Sequence, residues 1–255
     1  MFKIGKSKFG LPFVTIIVGL LLAGIATTTW FLRPQDVMVR ASKALEGNQS
    51  VDVCEKKING VKGFLFSPNN PEINTGLIFY PGARVPARAY APHILKIAEK
   101  GYEVFIVSMP LNLAILGPRK ADKIIEGRER VRHWVIAGHS MGGAMAAQFA
   151  EGTDRKLEGL IFWASYPPET VEFDRGFPVL SITASRDKII NRKKVTKSRT
   201  QLPSNTKFVE IEGGNHSQFG WYGFQSGDGE ATISRSKQME MIVRETVTFL
   251  SSLDG

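Results

Sequence analysis

Seven short apolar runs, bounded by glycine or proline, recur along the chain and constrain its fold more than any other feature. Each has the length of a buried β-strand. They cover Val61–Phe66, Gly76–Tyr80, Tyr102–Val107, His133–Ala137, Leu160–Ala164, Val179–Thr183 and Phe208–Ile211. Helix-like stretches between or after them cover Ala87–Lys100, Met141–Glu151, Lys188–Thr200 and Ser234–Leu253. This alternation predicts an α/β fold, a mostly parallel sheet with helices on both faces.

Length and composition indicate one globular domain. The 255 residues include 25 glycines, with 43% hydrophobic and 22% charged residues, which excludes disordered and collagen-like chains. A single cysteine, Cys54, excludes an intrachain disulfide framework and a cysteine-rich zinc site. A histidine-based metal site would need nearly all four histidines of the chain. We therefore expect neither a metal nor a cofactor.

The net charge of +9 is concentrated in two places. Residues 1–33 hold four bases and no acid, and the stretch from Arg186 to Arg199 holds seven bases and one acid. The rest of the chain is close to neutral. Nucleic-acid binding needs a basic face on the domain, so this distribution argues against nucleic acid as a partner.

Residues 1–33 are predicted to form a membrane anchor. From Phe9 to Leu32 there are 24 residues without a charge, and at about 1.5 Å per residue such a helix spans the roughly 30 Å hydrocarbon core of a bilayer. Three lysines precede the run, and Trp30 and Arg33 lie at its far end. The positive-inside rule places the N-terminus in the cytoplasm. The domain is then expected at the cell membrane, outside the cytoplasm.

A cleaved secretory signal is the alternative interpretation of the same segment. A signal has an apolar core of about 7–15 residues and a small-x-small cleavage site. The run here is longer, and Ala23-Gly24-Ile25-Ala26 has the wrong spacing for that site, which favours an uncleaved anchor. Both interpretations export the domain, and a lone cysteine is compatible with an oxidising compartment.

The remainder divides into a linker helix over residues 34–50 and one α/β domain over residues 51–255. Asp36–Glu46 has the partly apolar face of a short amphipathic helix. Only the 13 residues Ser165–Phe177 separate the strand ending at Ala164 from the next one. A helical cap does not fit into that length, so we expect no cap domain and an open site.

The sequence Gly138-His139-Ser140-Met141-Gly142 follows a predicted strand and opens a predicted helix. In a G-x-S-x-G turn the serine occupies a sharp bend that exposes its hydroxyl, and the glycines let strand and helix approach closely. The N–H of Met141 can then face a developing oxyanion. The pattern predicts Ser140 as a nucleophile; the alternative is a glycine-rich turn that contains a serine by chance.

A serine nucleophile needs a base, and the base needs an acid that orients it. Asp187 and His216 each follow a later strand, in the order serine, acid, histidine. His216 is the only histidine after Ser140. We predict Asp187 as the acid and His216 as the base, with Glu169 or Asp174 as alternatives for the acid.

The turn Tyr80-Pro81-Gly82-Ala83-Arg84 follows the predicted strand Gly76–Tyr80, where a second oxyanion donor is expected. We predict Ala83 N–H as that donor and Arg84 as a residue that binds an anionic group of the substrate. An ordinary Pro-Gly turn with a solvated arginine accounts for the same residues.

Taken together, these motifs resemble the α/β-hydrolase superfamily over roughly Val51–Leu253. Four stretches are similar to a bacterial group described as dienelactone-hydrolase-like: Phe79–Gly82, Ala89–Pro92, Met109–Ala114 and His216–Gly220. The resemblance implies the α/β-hydrolase fold and hydrolysis of an ester or related acyl bond. True dienelactone hydrolases use cysteine at the position of Ser140, so this chain departs from them at the nucleophile.

The sequence therefore predicts a membrane-anchored serine hydrolase that cleaves a carboxylic ester or lactone in a small or lipid-like molecule through an acyl-enzyme. Two alternatives remain open. One is acyl transfer with the same Ser140, Asp187 and His216. The other is a catalytically silent binding module on the cell surface.

Overall fold

The computed structural model describes residues 33–69, 74–173 and 176–253. The predicted anchor run Phe9–Leu32 lies outside these residues. Within the part of the chain that the structure describes, no helix is both long and apolar enough to cross a membrane.

Eight strands of the described chain form one sheet. They are β1 (Val51–Ile58), β2 (Val61–Pro68), β3 (Thr75–Tyr80), β4 (Glu103–Val107), β5 (His133–His139), β6 (Gly159–Trp163), β7 (Val179–Ala184) and β8 (Lys207–Ile211). Their order across the sheet is β1-β2-β4-β3-β5-β6-β7-β8. The pairs β1–β2 and β2–β4 are antiparallel, and the other pairs are parallel. The predicted mostly parallel α/β sheet is confirmed.

Six α-helices accompany the sheet in the described residues. They are α1 (Val39–Lys43), α2 (Ala91–Ala98), α3 (Lys120–Glu126), α4 (Met141–Gly152), α5 (Arg192–Ser198) and α6 (Arg235–Ser251). Short 3₁₀ segments cover Ala44–Glu46, Ala87–Tyr90, Pro110–Asn112, Ala114–Leu116 and Ser217–Phe219.

Both faces of the sheet are covered, as the apolar runs predict. In β3, Leu77 and Phe79 belong to a core that includes residues of α2 and α6. The alternate residues Ile78 and Tyr80 belong to a second core that includes residues of α3 and α4. Side chains of a strand alternate between faces, so a run that is apolar throughout is what a doubly covered strand requires.

Two elements, β1 and α3, contain no continuous apolar run and are not predicted from the sequence. β1 is an edge strand whose residues 54–57 are all exposed, and charged side chains on an edge prevent pairing with other chains. In α3 only Ala121 and Ile124 are buried, among lysines and acids. Neither segment has an apolar run for a pattern search to find.

Helix α5 begins at Arg192 rather than at the predicted Lys188. The side chain of Asp187 accepts the N–H groups of the second and third residues after it, which holds this stretch in a turn. The helix then starts where the side chain of Asn191 caps the N–H of Lys194 at 3.1 Å.

The helix predicted in the linker is shorter than expected and packs on the domain. Ala41 of α1 is fully buried in a cluster with Trp221 and Met239. Just before α1, Met38 N–H donates to the carbonyl of Trp221 at 2.9 Å. This stretch is therefore held against the domain by apolar contacts and by a backbone hydrogen bond.

The parallel register brings the loops after six strands, β3 to β8, to one edge of the sheet. Tyr80 at the end of β3 lies opposite Gly138 of β5, and Trp163 of β6 lies opposite His139. At the far side Ala184 of β7 pairs with the last residue of β8. In open parallel sheets, ligand sites form at this edge, and the candidate residues of this chain follow these strands.

Candidate active site

The candidate nucleophile lies at a sharp bend between β5 and α4. Ser140 has φ 52° and ψ −122°, a conformation that residues other than glycine rarely adopt. Its N–H donates to the carbonyl of Trp163 at 3.0 Å, and its carbonyl accepts the N–H groups of Gly143 and Ala144. Hydrogen bonds on both sides of Ser140 therefore hold the strained backbone in place, and its side chain is only partly buried.

Two glycines are required at this bend by the space around them. A Cβ on Gly138 would come within 2.4 Å of the carbonyl carbon of Gly142, and a Cβ on Gly142 would come within 2.1 Å of the carbonyl oxygen of Tyr80. Both contacts are with backbone atoms, which cannot move aside as a flexible side chain can. Strand, bend and helix therefore approach as closely as the G-x-S-x-G pattern predicts.

Asp187 and His216 form a buried acid–base pair beyond the ends of β7 and β8. Oδ2 of Asp187 lies 2.7 Å from Nδ1 of His216, and the two residues are 2% and 1% exposed. Oδ1 of Asp187 accepts the N–H groups of Ile189 at 2.8 Å and Ile190 at 3.0 Å. An ionised carboxylate only accepts hydrogen bonds, so Nδ1 of neutral His216 carries the proton and Nε2 is left as a base.

The ring of His216 lies beside the bend that carries Ser140. Its centroid is 4.5 Å from that of His139, the residue directly before the serine. No hydrogen bond joins Ser140 Oγ to His216 among the residues that the structure describes. In enzymes without substrate this bond is often long, and it shortens in the substrate complex. The structure thus places the ring of His216 against the residue before Ser140, with no hydrogen bond to the serine in the described chain.

The loop after β3 leaves the N–H of Ala83 without an internal acceptor. The N–H groups on either side of it are both used. That of Gly82 donates to the hydroxyl of Tyr90 at 3.0 Å, and that of Arg84 donates to the carbonyl of Asn112 at 2.7 Å. Ala83 N–H has no such partner among the described residues, so it is available to a ligand.

The second candidate donor is the N–H of Met141, the first residue of α4. The first N–H groups of an α-helix have no intrahelical acceptor, and elsewhere in the described chain this group has none either. Backbone N–H groups of this kind stabilise an oxyanion when they point at the oxygen on which charge develops. Both predicted donors, Ala83 and Met141, are therefore free to act.

Comparison with known proteins gives the family. A family model described as alpha/beta hydrolase family matches residues 76–240, which is more than half of the chain. The chain belongs to the alpha/beta hydrolase family. The matched residues include Ala83, Ser140, Asp187 and His216. No curated protein matches the chain.

Solved structures similar to this alpha/beta hydrolase share its fold at low identity. A predicted CIB-like hydrolase of Thermoplasma acidophilum has a TM-score of 0.60 at 17% identity, covering 78% of this chain and 98% of its own. An esterase of Pyrococcus furiosus has 0.59 at 15%, covering 86% and 98%. Esterase 2 of Thermogutta terrifontis, phosphorylated by paraoxon, has 0.54 at 13%, covering 79% and 95%. At these identities the likeness concerns the fold alone.

The alternatives for the acid of this alpha/beta hydrolase are placed differently. Glu169 is exposed and lies 3.6 Å from Nζ of Lys194 and 3.8 Å from Nζ of Lys197. Asp174 lies outside the described residues. Of the candidates that the structure describes, Asp187 is the one that contacts His216.

Arg84 lies on the loop after β3 and has a left-handed backbone, φ 61°. Its N–H donates to Asn112, and its carbonyl accepts the N–H of Gln35 at 2.8 Å. It does not line the described cavity beside Ser140. Binding of an anionic substrate group by Arg84 stays a prediction.

A buried hydrogen-bond network connects the loop after β3 to the bend between β5 and α4. The hydroxyl of Tyr90 accepts the N–H of Gly82 and lies 2.8 Å from Nδ1 of His139. Burial raises the pKa of Tyr90 far above 10, so the hydroxyl keeps its proton and donates it to His139. Burial, with the neighbouring His216, lowers the pKa of His139 well below 6.5. His139 is therefore a neutral ring that helps to position both segments.

Asp228 is a residue of the site that the sequence pattern did not indicate. Its Oδ2 accepts the N–H and the hydroxyl of Ser217 at 2.8 and 2.7 Å. Its Oδ1 accepts the N–H of Gly229 at 2.8 Å, of Lys188 at 3.3 Å and of His216 at 3.4 Å. The carboxylate of Asp228 thus connects the loop that carries His216 to the loop that carries Asp187. In sequence it is an aspartate between two glycines, which is typical of an ordinary surface turn.

The loop that carries His216 is also held by hydrogen bonds to a side chain of α6. Asn215 N–H donates to Oε1 of Gln238 at 3.0 Å, and Nε2 of Gln238 donates back to the carbonyl of Asn215 at 2.8 Å. Nδ2 of Asn215 donates to the carbonyl of Gly229 at 2.7 Å. Both amide side chains are buried, so these bonds are shielded from water and fix the residue before His216.

A cavity of about 200 Å³ lies against Ser140 and Ser165. The other residues that line it are Met141, Ala144, Ala164, Tyr166, Ile189 and Ile190. None of these described lining residues carries a charge. The hydroxyl of Ser165 donates to the carbonyl of Ser140 at 2.7 Å, which stabilises the wall of the cavity next to Ser140.

Proposed function

We propose that the protein is a serine hydrolase that cleaves a carboxylic ester or a lactone through an acyl-enzyme. The observation that carries the proposal is the buried pair of Asp187 and His216, 2.7 Å apart, next to the bend that exposes Ser140. A buried carboxylate that holds one neutral histidine fixes the tautomer that a general base needs. Esterases among the solved structures of the same fold support this class of reaction.

The first half-reaction transfers the acyl group to the enzyme. Nε2 of His216 accepts the proton of Ser140 Oγ while that oxygen attacks the carbonyl carbon of the ester. The carbonyl oxygen gains a negative charge, which the N–H groups of Ala83 and Met141 stabilise. The imidazolium, stabilised by Asp187, gives its proton to the leaving alcohol, and the acyl group stays on the serine.

The second half-reaction returns the enzyme to its starting state. His216 takes a proton from water, the resulting hydroxide attacks the acyl carbon, and Ser140 leaves with the proton of the imidazolium. An alcohol in place of water makes the same chemistry an acyl transfer. Product analysis with a competing alcohol separates the two reactions. Hydrolysis releases the acyl group only as the free acid, whereas transfer also yields the ester of the added alcohol. Lactone substrates in the same assay test the likeness to the dienelactone-hydrolase-like group.

The proposal is tested by removing the nucleophilic hydroxyl. Ser140→Ala should lower kcat on short-chain esters on the order of 10⁶-fold while the far-UV circular dichroism is unchanged. A fluorophosphonate should label the wild type at Ser140, as located by peptide mass spectrometry, and should not label the variant.

The matched control is Ser42→Ala, which removes an exposed hydroxyl from α1. This variant should keep both the activity and the label. Turnover by Ser140→Ala within tenfold of the wild type, or a label on a different residue, would exclude the proposed nucleophile.

We also propose that residues 1–33 anchor the enzyme in the cell membrane with the domain on the outer face. The support is the uncharged run Phe9–Leu32 and the three lysines before it. After an alkaline wash the full chain should stay with the membranes, and a chain that begins at residue 34 should be released. The intact mass of the mature protein separates an anchor from a cleaved signal, because only cleavage removes the N-terminal residues.

A further inference from the structure

The cavity beside Ser140 is bounded by the proposed nucleophile and not by the proposed base. Its described lining comes from α4, from the loop after β6 and from the loop after β7, whereas neither His216 nor another residue of the loop after β8 contributes. In acyl-enzyme chemistry the leaving alcohol must receive a proton from the histidine, while the acyl group stays on the serine. The cavity is therefore placed for the acyl part of the ester, and the alcohol part belongs on the side of His216.

We infer that this cavity binds the acyl chain of a neutral, short-chain ester, and that Ala144, Ile189 and Ile190 limit the length of that chain. The inference rests on the proposed serine hydrolase function. It goes beyond that function because it names the acyl group.

The volume of the cavity limits the length of the acyl chain. The volume of about 200 Å³ is below the roughly 300–1,000 Å³ of pockets that hold drug-sized ligands. A water molecule occupies about 30 Å³ in the liquid, and a methylene group is of similar size. The cavity therefore has room for about six non-hydrogen atoms, which corresponds to a short acyl chain.

The chemistry of the lining sets the class of acyl group. Met141, Ala144, Ile189 and Ile190 present partly exposed apolar side chains, and no charged group is among the described lining residues. The hydroxyl of Ser165 is already used by the carbonyl of Ser140. An acyl chain that ends in a carboxylate or an ammonium group would find no charge of opposite sign among the described lining residues, and burial of an unpaired charge is costly. A neutral hydrocarbon chain meets no such cost.

The wall opposite α4 is fixed by the same carboxylate that orients the base. Oδ1 of Asp187 accepts the N–H groups of Ile189 and Ile190, and its Oδ2 contacts His216. The two isoleucines are therefore held relative to the catalytic pair rather than carried on a loose loop. A wall of this kind discriminates chain length, because it cannot move away from a longer chain.

The test measures acyl and alcohol selectivity separately with the full chain in detergent. One series keeps 4-nitrophenol and varies the acyl chain from acetate to decanoate; the other keeps acetate and varies the alcohol from ethanol to octanol. In the wild type, kcat/KM in the acyl series should rise about fourfold per buried methylene and level off at about six carbons. Ala144→Leu fills the cavity from α4, so the series should level off about three carbons earlier, with the alcohol series unchanged.

The matched control is Gln148→Leu, which introduces the same side chain at an exposed position of the same helix, outside the described lining of the cavity. Both of its series should equal those of the wild type. Ile190→Ala enlarges the cavity from the opposite wall and should extend the rise in the acyl series by two or three carbons. It also keeps the test decisive if Ala144→Leu does not fold.

The inference is overturned if the folded variants leave the acyl series unchanged, or if the alcohol series moves instead. In either case the proposed function stands as long as Ser140→Ala is inactive and fluorophosphonate labels Ser140 in the wild type. Failure of that label together with no turnover of any ester would instead overturn the proposed function and, with it, the inference.

Discussion

The two ends of the sheet differ in how regular the backbone is. All six non-glycine residues with positive φ in the described chain lie at the end of the sheet where the parallel strands have their carboxyl ends, and five of them are Arg84, Leu111, Asn112, Ser140 and Ala164. The sixth in the described chain, Asn59, lies in the Asn-Gly turn of the β1–β2 hairpin, where positive φ is usual. Strained backbone persists only where the surroundings hold it, and it collects at functional sites. In this molecule the strained residues lie at the carboxyl ends of the strands.

The amino end holds a buried carboxylate of a different kind. Glu103, the first residue of β4, is 1% exposed and accepts hydrogen bonds from Arg128, from Arg130 and from Ser67 at 3.1 Å. Burial raises the pKa of Glu103, but the hydrogen bonds and charges of the two arginines outweigh it, so the pKa lies below its usual 4.5. This carboxylate is held ionised by two permanent charges.

Glu103 and Asp187 are both buried, so they differ in their partners rather than in their burial. Arginine does not exchange its proton near neutral pH, so the Glu103 cluster can only stabilise the fold. Histidine gains and loses a proton, so the Asp187 pair can take part in catalysis. We therefore expect a change in the Asp187–His216 pair to lower kcat with little loss of stability, and a change in the Glu103 cluster to do the reverse.

Among substitutions of the carboxylates, the largest effect is expected for Asp187→Asn. Asparagine still offers Oδ1 to the N–H groups of the loop, but its amide donates to His216 and stabilises the wrong tautomer, so kcat should fall on the order of 10⁴-fold. The free energy of unfolding should change by only about 1 kcal/mol. Ester turnover and urea unfolding measure the two quantities.

The control for Asp187→Asn is Glu169→Gln, which changes the exposed alternative acid and should leave turnover near that of the wild type. A crippled Glu169→Gln together with a nearly unchanged Asp187→Asn would show that the acid has been misplaced. It would also remove the distinction between the two ends of the sheet.

The parts of the site that could be predicted depend on local sequence. Ser140 is indicated by a strand, a bend and a helix that are contiguous, and Asp187 and His216 are indicated by their order after later strands. Asp228 and Tyr90 act through hydrogen bonds between loops that are far apart in sequence, and no spacing rule describes such contacts. Strand β1 was not predicted for a related reason: it is an edge strand in which only Val51 and Ile58, at its two ends, are buried.

Glu103→Gln should have the next largest effect, and on stability only. The neutral amide leaves Arg128 and Arg130 without an anionic partner; because Arg130 is half exposed, the loss should be about 2 kcal/mol rather than the larger values for fully buried pairs. Urea unfolding at neutral pH measures it. The value of kcat on a short-chain ester should stay within about twofold of the wild type.

The loss of stability in Glu103→Gln should depend on pH in a defined direction. The pKa of Glu103 is lower in the folded than in the unfolded protein, so its contribution is present above the usual pKa of 4.5 and is lost as pH falls through the lower folded value. Wild type and Glu103→Gln should therefore converge in free energy of unfolding as the pH falls from 6 toward 3. A difference that is constant over this range, or a large loss of kcat, would contradict a purely structural role.

The smallest loss of kcat that we predict, about tenfold, is expected for Asp228→Asn. Within the described residues, the five groups that contact this carboxylate are all donors. An amide nitrogen in place of one oxygen therefore leaves donors unpaired and loosens the loop of His216 against that of Asp187. The substitution should cost about as much stability as Glu103→Gln, which makes that variant the matched control. Fluorophosphonate labelling of Ser140 should slow in parallel with kcat in Asp228→Asn and stay at the wild-type rate in Glu103→Gln. Equal labelling rates in the two variants would mean that Asp228 only stabilises the fold, like the carboxylate at the other end of the sheet.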